Sequence, residues 1–194
     1  EVIRDISKRK KAQEMILESE EKLRLALNAT QDGIWDWDIK SNKEYFSPRW
    51  CEIIGYTFDD PELIHSYDSW ASRIHPEDSD HVMKSLNSHH EKGTVYDVDY
   101  RHLHKSGEYR WQNSIGQAIF DESGKPIRMV GCIRDITGRK QTEEALRENE
   151  ERFRLLAENA QDMIYHYRLA PTPRFEYVSP AATAILGYTP QEFY

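Results

Sequence analysis

The sequence predicts an α+β domain: a five-stranded antiparallel sheet with helices on one face, flanked by long linker helices. Three observations carry this reading. Short stretches at 33–38, 44–46, 94–103, 109–120 and 126–136 have strand character. The last three are joined by two Gly-containing hairpin turns. Helix signals fall only between the second and third stretches and in the two flanking segments. The order β-β, helices, β-β-β matches helices gathered on one side of an antiparallel sheet.

Taken in order, residues 8–30 lack Pro and Gly and are rich in Glu, Lys, Leu and Ala, so a linker helix is expected there. From Trp35 the stretch Gly33-Ile34-Trp35-Asp36-Trp37-Asp38 alternates aromatic and acidic residues, as a half-buried strand does. Asp36 and Asp38 then lie on a solvated face and are not a catalytic pair. Ser41-Asn42 is a turn, and Glu44-Tyr45-Phe46 is a second strand. Pro48 suits the first turn of a helix and Gly55 its C-terminal end. Asp59-Asp60-Pro61-Glu62 and Pro76-Glu77-Asp78 both read as acidic helix starts, and Gly93 closes the last helix.

Beyond Gly93 the period becomes two, with Tyr96, Val98 and Tyr100 on one face. Lys105-Ser106-Gly107-Glu108 and Asp121-Glu122-Ser123-Gly124-Lys125 are the hairpin turns. The stretch 126–136 is apolar on both faces, which is the pattern of a central strand. Residues 138–160 again read as a linker helix.

The two linker regions are copies. Residues 3–34 and 133–164 are identical at 15 of 32 positions, with Arg4-Asp5-Ile6 recurring as Arg134-Asp135-Ile136. The likeness resumes at Ser47-Pro48 against Ser179-Pro180 and at Gly55-Tyr56-Thr57 against Gly187-Tyr188-Thr189, with two extra residues in the later copy. A period this long points to an array of whole domains. The expected organisation is the end of a preceding unit at 1–7, a linker helix at 8–30, a complete domain at 20–137, a linker helix at 138–160, and the first part of another domain at 150–194. The chain is thus expected to be a piece of a longer protein. In the later linker Leu146, Asn149, Phe153 and Leu156 occupy a and d slots of a heptad, matched by Ile16, Ser19, Leu23 and Ala26 in the earlier one. A polar residue at the same seam position in both copies suits a register-setting role in a homodimer through the linker helices.

Net charge is −8, from 34 acidic and 26 basic residues, which argues against nucleic acid or an anionic membrane as partner. The basic run Lys8-Arg9-Lys10-Lys11 is offset by the glutamates after it and reads as a solvated helix face. Cys51 and Cys132 suggest neither a disulfide framework nor a zinc site, and reduced thiols in the cytoplasm are expected. No apolar run is long enough for a membrane span, although the parent could be anchored by segments outside this chain. No metal site and no catalytic residue is expected: Gly-rich nucleotide loops, cyclase and phosphodiesterase motifs and a kinase phospho-acceptor box are all missing from the sequence.

Several segments together resemble one family. They are Trp70, His75, Pro76 and Asp78 in SWASRIHPEDSDHV, the hairpin YRHLHKSGEYRW from Tyr100 to Trp111, and GCIRDITGRK from Gly131 to Lys140. The chain resembles tandem PAS domains of the sensory-box type, in the subgroup with a Trp…His-Pro-x-Asp signature and an Asp-Ile-Thr terminus. The resemblance implies a signalling module that senses a small ligand or mediates dimerisation. It would relay its state to an output domain, foremost that of a sensor histidine kinase. A diguanylate cyclase or phosphodiesterase, or a purely structural tether, are the alternatives.

An unknown small-molecule ligand would sit in a core pocket lined by Trp35, Trp37, Phe46, Ile54, Leu86, Tyr100 and Trp111. The relay would pass through Asp135, Ile136 and Thr137, with Thr137 capping the following helix and Asp135 accepting hydrogen bonds from backbone or an Arg. Haem-binding members use a His of the long helix. Here Met83 or Leu86 faces the pocket and His81 is out of phase, so no haem is expected. His75 reads as structural, and His89-His90 as a solvated helix end. Light-oxygen-voltage members carry a reactive Cys in an Asn-Cys-Arg-Phe motif that is not found here, so no flavin is expected either.

Overall fold

The computed structural model describes residues 31–194 throughout and, before them, only residues 13, 15, 17, 18, 21, 25 and 30. The expectations for residues 1–7, for most of the linker helix at 8–30 and for Ile16, Ser19, Leu23 and Ala26 fall outside the described residues. The chain divides into two units, one ending at Thr137 and one running from Gly138 to Tyr194.

In the first unit, strands β1 (Gly33–Asp38) and β2 (Lys43–Phe46) precede helices α1 (Pro48–Ile53), α2 (Tyr67–Ala71) and α3 (Pro76–Lys92). Strands β3 (Tyr96–Leu103), β4 (Tyr109–Phe120) and β5 (Pro126–Asp135) follow. The sheet is antiparallel, in the order β2-β1-β5-β4-β3. Its last strand in sequence is therefore its middle strand, in keeping with apolar residues on both sides of β5.

Local chemistry places each helix. The Ser47 hydroxyl accepts the N–H of Trp50 at 3.2 Å and that of Ile34 at 2.9 Å, so one side chain caps α1 and ties it to β1. Ser66 caps α2 by accepting the N–H of Ser69. His75 caps α3 through Nδ1, which accepts the N–H of Glu77 at 3.2 Å, and Pro76 takes the first helical position. Gly93, with φ of 64°, ends α3 in the left-handed region.

The acidic stretch Asp59-Asp60-Pro61-Glu62 starts no helix. The Asp60 carboxylate accepts the N–H of Glu62 and pairs with Lys105, forming a turn that buries Leu63. The chain then runs beside β2, with Glu44 N–H donating to His65 and Ser66 bridging Lys43. That edge pairing holds the segment extended where the acidic residues alone suggested a helix.

The core between sheet and helices is aromatic, with Trp35, Phe46, Trp50, Tyr96 and Tyr100 all buried. Its closest packing lies at Gly116 and Gly131, which face each other across β4 and β5. A Cβ on Gly131 would stand 2.1 Å from the Ile115 carbonyl oxygen and 2.3 Å from Trp35 Cζ2, and one on Gly116 would stand 2.5 Å from Trp35 Cη2. The Trp35 indole thus occupies the space that side chains at these positions would take.

The second unit holds α4 (Thr137–Asn159, from the end of the first unit), strands β6 (Tyr165–Arg168) and β7 (Arg174–Val178), α5 (Ala181–Leu186) and a 3-10 turn at Pro190–Phe193. Its opening repeats that of the first. Ser179 N–H donates to Ile164 at 2.8 Å, and Ile164 N–H donates to the Ser179 hydroxyl at 3.0 Å. Ser47 and Ile34 make the same pair of bonds. Gly187 matches Gly55 in its positive φ.

Gly131→Ala is expected to destabilise the first unit by about 1–3 kcal/mol, the usual cost of overpacking a close-packed core. Urea unfolding followed by far-UV circular dichroism checks this, and an unchanged midpoint would mean that both Trp35 and the Ile115 backbone can give way.

Candidate functional site

Between the sheet and the helices lies a cavity of about 20 Å³, measured as the space open to the centre of a water molecule. It is lined by Trp35, Trp37, Glu44, Trp50, Tyr67, Trp70, Leu86, Tyr96, Ser114 and Met129. Trp35, Trp37 and Leu86 were singled out by the sequence. Phe46, Ile54 and Tyr100 are fully buried in the surrounding core but do not line the cavity. Phe46 stacks on Trp50 at 3.6 Å between ring centroids, and the Tyr100 hydroxyl accepts the Trp70 indole N–H at 2.9 Å.

Trp111 lies on the other face of the sheet. Along β4 the buried residues are Gln112, Ser114 and Ala118, so Trp111 points outward, where the Arg101 guanidinium covers it at 5.5 Å. The aromatic character of Trp111 suggested the core, but its strand parity places it outside.

The sequence did not single out Trp50, Tyr67, Trp70, Tyr96, Ser114 or Met129 as lining residues, and the one with most consequence that it missed is Glu44. It alternates with buried Phe46 on β2, so strand parity alone could have turned it inward. Glu44 is 8% exposed, stands opposite Trp37 in register, and its Oε2 is buried with no hydrogen-bond partner. Burial pushes its carboxyl up to about 8, and Asp36 pushes in the same direction. The indole N–H groups of Trp35 and Trp37 are likewise buried without acceptors.

Two histidines expected to be solvated are not. His89 is buried: its Nε2 accepts the Ala118 N–H at 2.9 Å, which leaves Nδ1–H to donate to the Thr94 carbonyl. His90 is half-buried and packs on Trp37 at 5.9 Å, and burial lowers its pKa. The end of α3 turns inward because β4 needs an acceptor at Ala118. His102 is fully buried, with Nε2 3.3 Å from the Trp70 carbonyl, and desolvation pushes its pKa down to about 3. His81 is exposed, whereas Val82, Leu86 and His89 form the buried stripe of α3. Cys51 is buried, and burial pushes its thiol up to about 11, the opposite of a reactive thiolate.

The His-Pro-x-Asp segment has a mechanical role. Asp78, in the first turn of α3, accepts the Arg101 backbone N–H at 2.8 Å and its guanidinium at 2.7 and 2.9 Å. The Arg101 bonds hold the Asp78 carboxyl below its ordinary value. Glu77 adds a bond to Arg101 at 2.8 Å. The start of α3 is thereby clamped to β3.

Beside this clamp, where Trp111 of β4 stands opposite Arg101, Asp135 Oδ1 accepts the Thr137 N–H at 2.8 Å. The Thr137 Oγ1 accepts the Trp111 N–H at 3.1 Å, while Ile136 N–H donates to the Trp111 carbonyl at 2.9 Å. The β4–β5 ladder stops at Gln112 and Asp135, so Trp111 at its end takes partners from Ile136 and Thr137. Asp135 takes the first N–H of α4, and Thr137 joins the helix start to β4.

A sheet of this order, covered by helices on one face and enclosing an aromatic cavity, defines a sensory α+β domain. The family model described as PAS fold matches residues 43–133, and one described as PAS domain matches 151–193. The crystal structure of a sensory box histidine kinase/response regulator from Burkholderia thailandensis is 41% identical, with a TM-score of 0.62. The match covers 70% of this chain and 99% of that one. The chain belongs to the PAS family.

Among its relatives, the sensor protein FixL of Bradyrhizobium diazoefficiens is 30% identical over 73% of this chain and 28% of its own length. The probable diguanylate cyclase DgcE of Escherichia coli is 24% identical over 98% of this chain and 17% of its own. The chain thus spans less than a third of either relative. Among the described residues no group of His, Cys, Asp and Glu could hold a metal, and no helix is long and apolar enough to cross a membrane.

Two outcomes follow from this geometry. Glu44 takes up a proton on folding wherever the pH lies between its unfolded value near 4.5 and its folded value near 8. Its contribution to stability is whole below 4.5 and is lost as pH rises through 8, by up to about 1.4 kcal/mol per pH unit across the window. His102 acts oppositely, losing stability as pH falls from 6.5 towards 3. Glu44→Gln should therefore leave the acid limb in place and flatten the alkaline one, becoming more stable than the wild type at pH 9. Urea titrations at pH 5, 7 and 9 measure this, and parallel curves would show that Glu44 ionises normally. Because His81 is exposed, purified protein should also show neither a Soret band nor flavin absorption. A Soret band abolished by His81→Ala would refute that.

Proposed function

We propose that the first unit is a sensory module whose core state is relayed through Asp135, Ile136 and Thr137 to α4, in a parent that is a sensor histidine kinase. The observation that carries the relay is the pair of bonds from Ile136 and Thr137 to both backbone groups of Trp111. Met129 lines the cavity from β5, and β5 ends in Asp135. A shift of β5 or β4 therefore acts directly on the first residues of α4, the kind of strand-to-helix movement that switches use.

The kinase output is supported by likeness to FixL and to the Burkholderia protein. A diguanylate cyclase output has support of its own. DgcE matches nearly the whole chain, and the N-terminal domain of a diguanylate cyclase with PAS/PAC sensor from Marinobacter aquaeolei is 26% identical with a TM-score of 0.50. A tether without a ligand is favoured by how little space the aromatic side chains leave in the core.

The recurrence of the Ser–Ile bonding pattern, with the second family match, supports a tandem arrangement of PAS units. Leu146 and Leu156 are exposed on α4, which supports pairing of linker helices in a homodimer. Phe153 is exposed as well, but its ring meets Tyr177 of its own unit at 6.0 Å. The free thiols suit a cytoplasmic setting.

Asp135→Ala, Thr137→Ala and Thr137→Val in the full-length parent are expected to cut the signal-dependent change in output several-fold. Each should cost about 1 kcal/mol of stability, the usual weight of a lost cap. Output assays paired with thermal melts test this. Full response with large loss of stability would make these residues structural only.

A further inference from the structure

We propose that the core cavity of the first unit binds a small organic ammonium ion of methylammonium size, with the Glu44 carboxylate as counter-ion and aromatic rings as walls. The proposal rests on the sensory reading above and names the ligand class for the same site.

The charge inventory of the lining sets the sign. Glu44 is its one ionisable acid, and no Lys, Arg or His lines the cavity. The rings are Trp35, Trp37, Trp50, Tyr67, Trp70 and Tyr96, and aromatic faces carry the negative side of the ring quadrupole. An anion would find indole and hydroxyl donors there but no cationic partner, and it would face the Glu44 carboxylate. A cation would find both an unpaired buried carboxylate oxygen and a wall of π-systems, the combination by which ammonium ligands are recognised. A hard metal ion is poorly served, because calcium or magnesium needs six or more oxygen ligands and the lining offers one carboxylate. About 20 Å³ open to a water's centre holds little more than one water, so only one or two non-hydrogen atoms fit without movement of the walls.

Glu44 also couples binding to protons. Asp36 on β1, Tyr67 on α2, and Tyr96 and Tyr100 on β3 act on the same electrostatic site, and His90 of α3 packs on Trp37. Burial raises the three tyrosines above their ordinary value and lowers His90, so all four stay neutral at pH 7. A cation that draws Glu44 into its ionised form therefore releases the Glu44 proton.

The test titrates the 194-residue chain with methylammonium chloride at pH 7 against sodium chloride of equal ionic strength. Tryptophan fluorescence and calorimetry in phosphate and in Tris are the readouts. The expected result is a saturable fluorescence change absent with sodium, with a binding enthalpy that differs between the buffers as a proton is released. Tetramethylammonium should bind at least tenfold more weakly, and so should methylammonium to Glu44→Gln, checked for native fold by near-UV circular dichroism. If that variant misfolds, the buffer dependence of the wild type decides. No methylammonium-specific signal, or an affinity unchanged in folded Glu44→Gln, would overturn the proposal. Preferential binding of acetamide, whose oxygen could accept the orphaned Trp35 and Trp37 N–H groups, or of acetate would also overturn it. Those last outcomes would leave the sensory reading standing, because that reading fails on the response of the Asp135 and Thr137 variants.

Discussion

The seating of Trp35 against Gly116 and Gly131 is the contact on which the rest of the first unit depends. Trp35 belongs to β1, Gly131 to β5 and Gly116 to β4, so one indole packs across three adjacent strands. It can do so because β5, last in sequence, is inserted between β1 and β4. Two missing Cβ atoms let the ring lie against the backbone, and the other large aromatics are layered above it. The cavity is the space left over in that layering. Its shape is therefore tied to the register of the middle strands.

Two clamps hold this core side by side, where Arg101 of β3 stands opposite Trp111 of β4. At one, Asp78 binds the backbone and side chain of Arg101 and fixes the start of α3 to the edge strand β3. At the other, Ile136 and Thr137 satisfy Trp111 at the end of β4 and fix the start of α4. The first clamp is charge-assisted and bidentate, the stronger kind of hydrogen bonding. The second uses neutral groups and is weaker. Of the two joints, the one leading towards α4 is the easier to shift. A sensory domain needs such an asymmetry, with a rigid lid over the cavity and a softer exit.

The buried polar groups follow a similar division. His89 is enclosed and both its nitrogens serve backbone groups, whereas His102 meets the Trp70 carbonyl through Nε2 alone and its buried Nδ1 has no partner. Glu44 and the N–H groups of Trp35 and Trp37 are enclosed without partners. Orphaned polar atoms are rare in folded proteins because each one costs desolvation with no compensating bond. Those of Glu44, Trp35 and Trp37 lie on one small cavity, while those of His90, His102 and Gln112 belong to residues that do not line it.

The sequence by itself determined the strand order along the chain, the two hairpins, the central character of β5 and the internal repeat. These are local patterns: period-two alternation, glycine turns and self-similarity, each readable from neighbouring residues. It also located the His-Pro-x-Asp and Asp-Ile-Thr segments, though not the bond from the Trp111 N–H to the Thr137 hydroxyl at the second. Only the tertiary structure decided which aromatic residues meet. Trp111 looks as core-like as Trp70 in the sequence, yet the parity of β4 turns it outward under Arg101. Glu44 looks like a surface acid, yet the pairing of β2 with β1 sets it opposite Trp37 and inside. His89 looks like part of a polar helix end, yet Ala118, 29 residues on, presents the N–H that draws it in. In each case the deciding partner lies on another strand, and no local pattern carries that information.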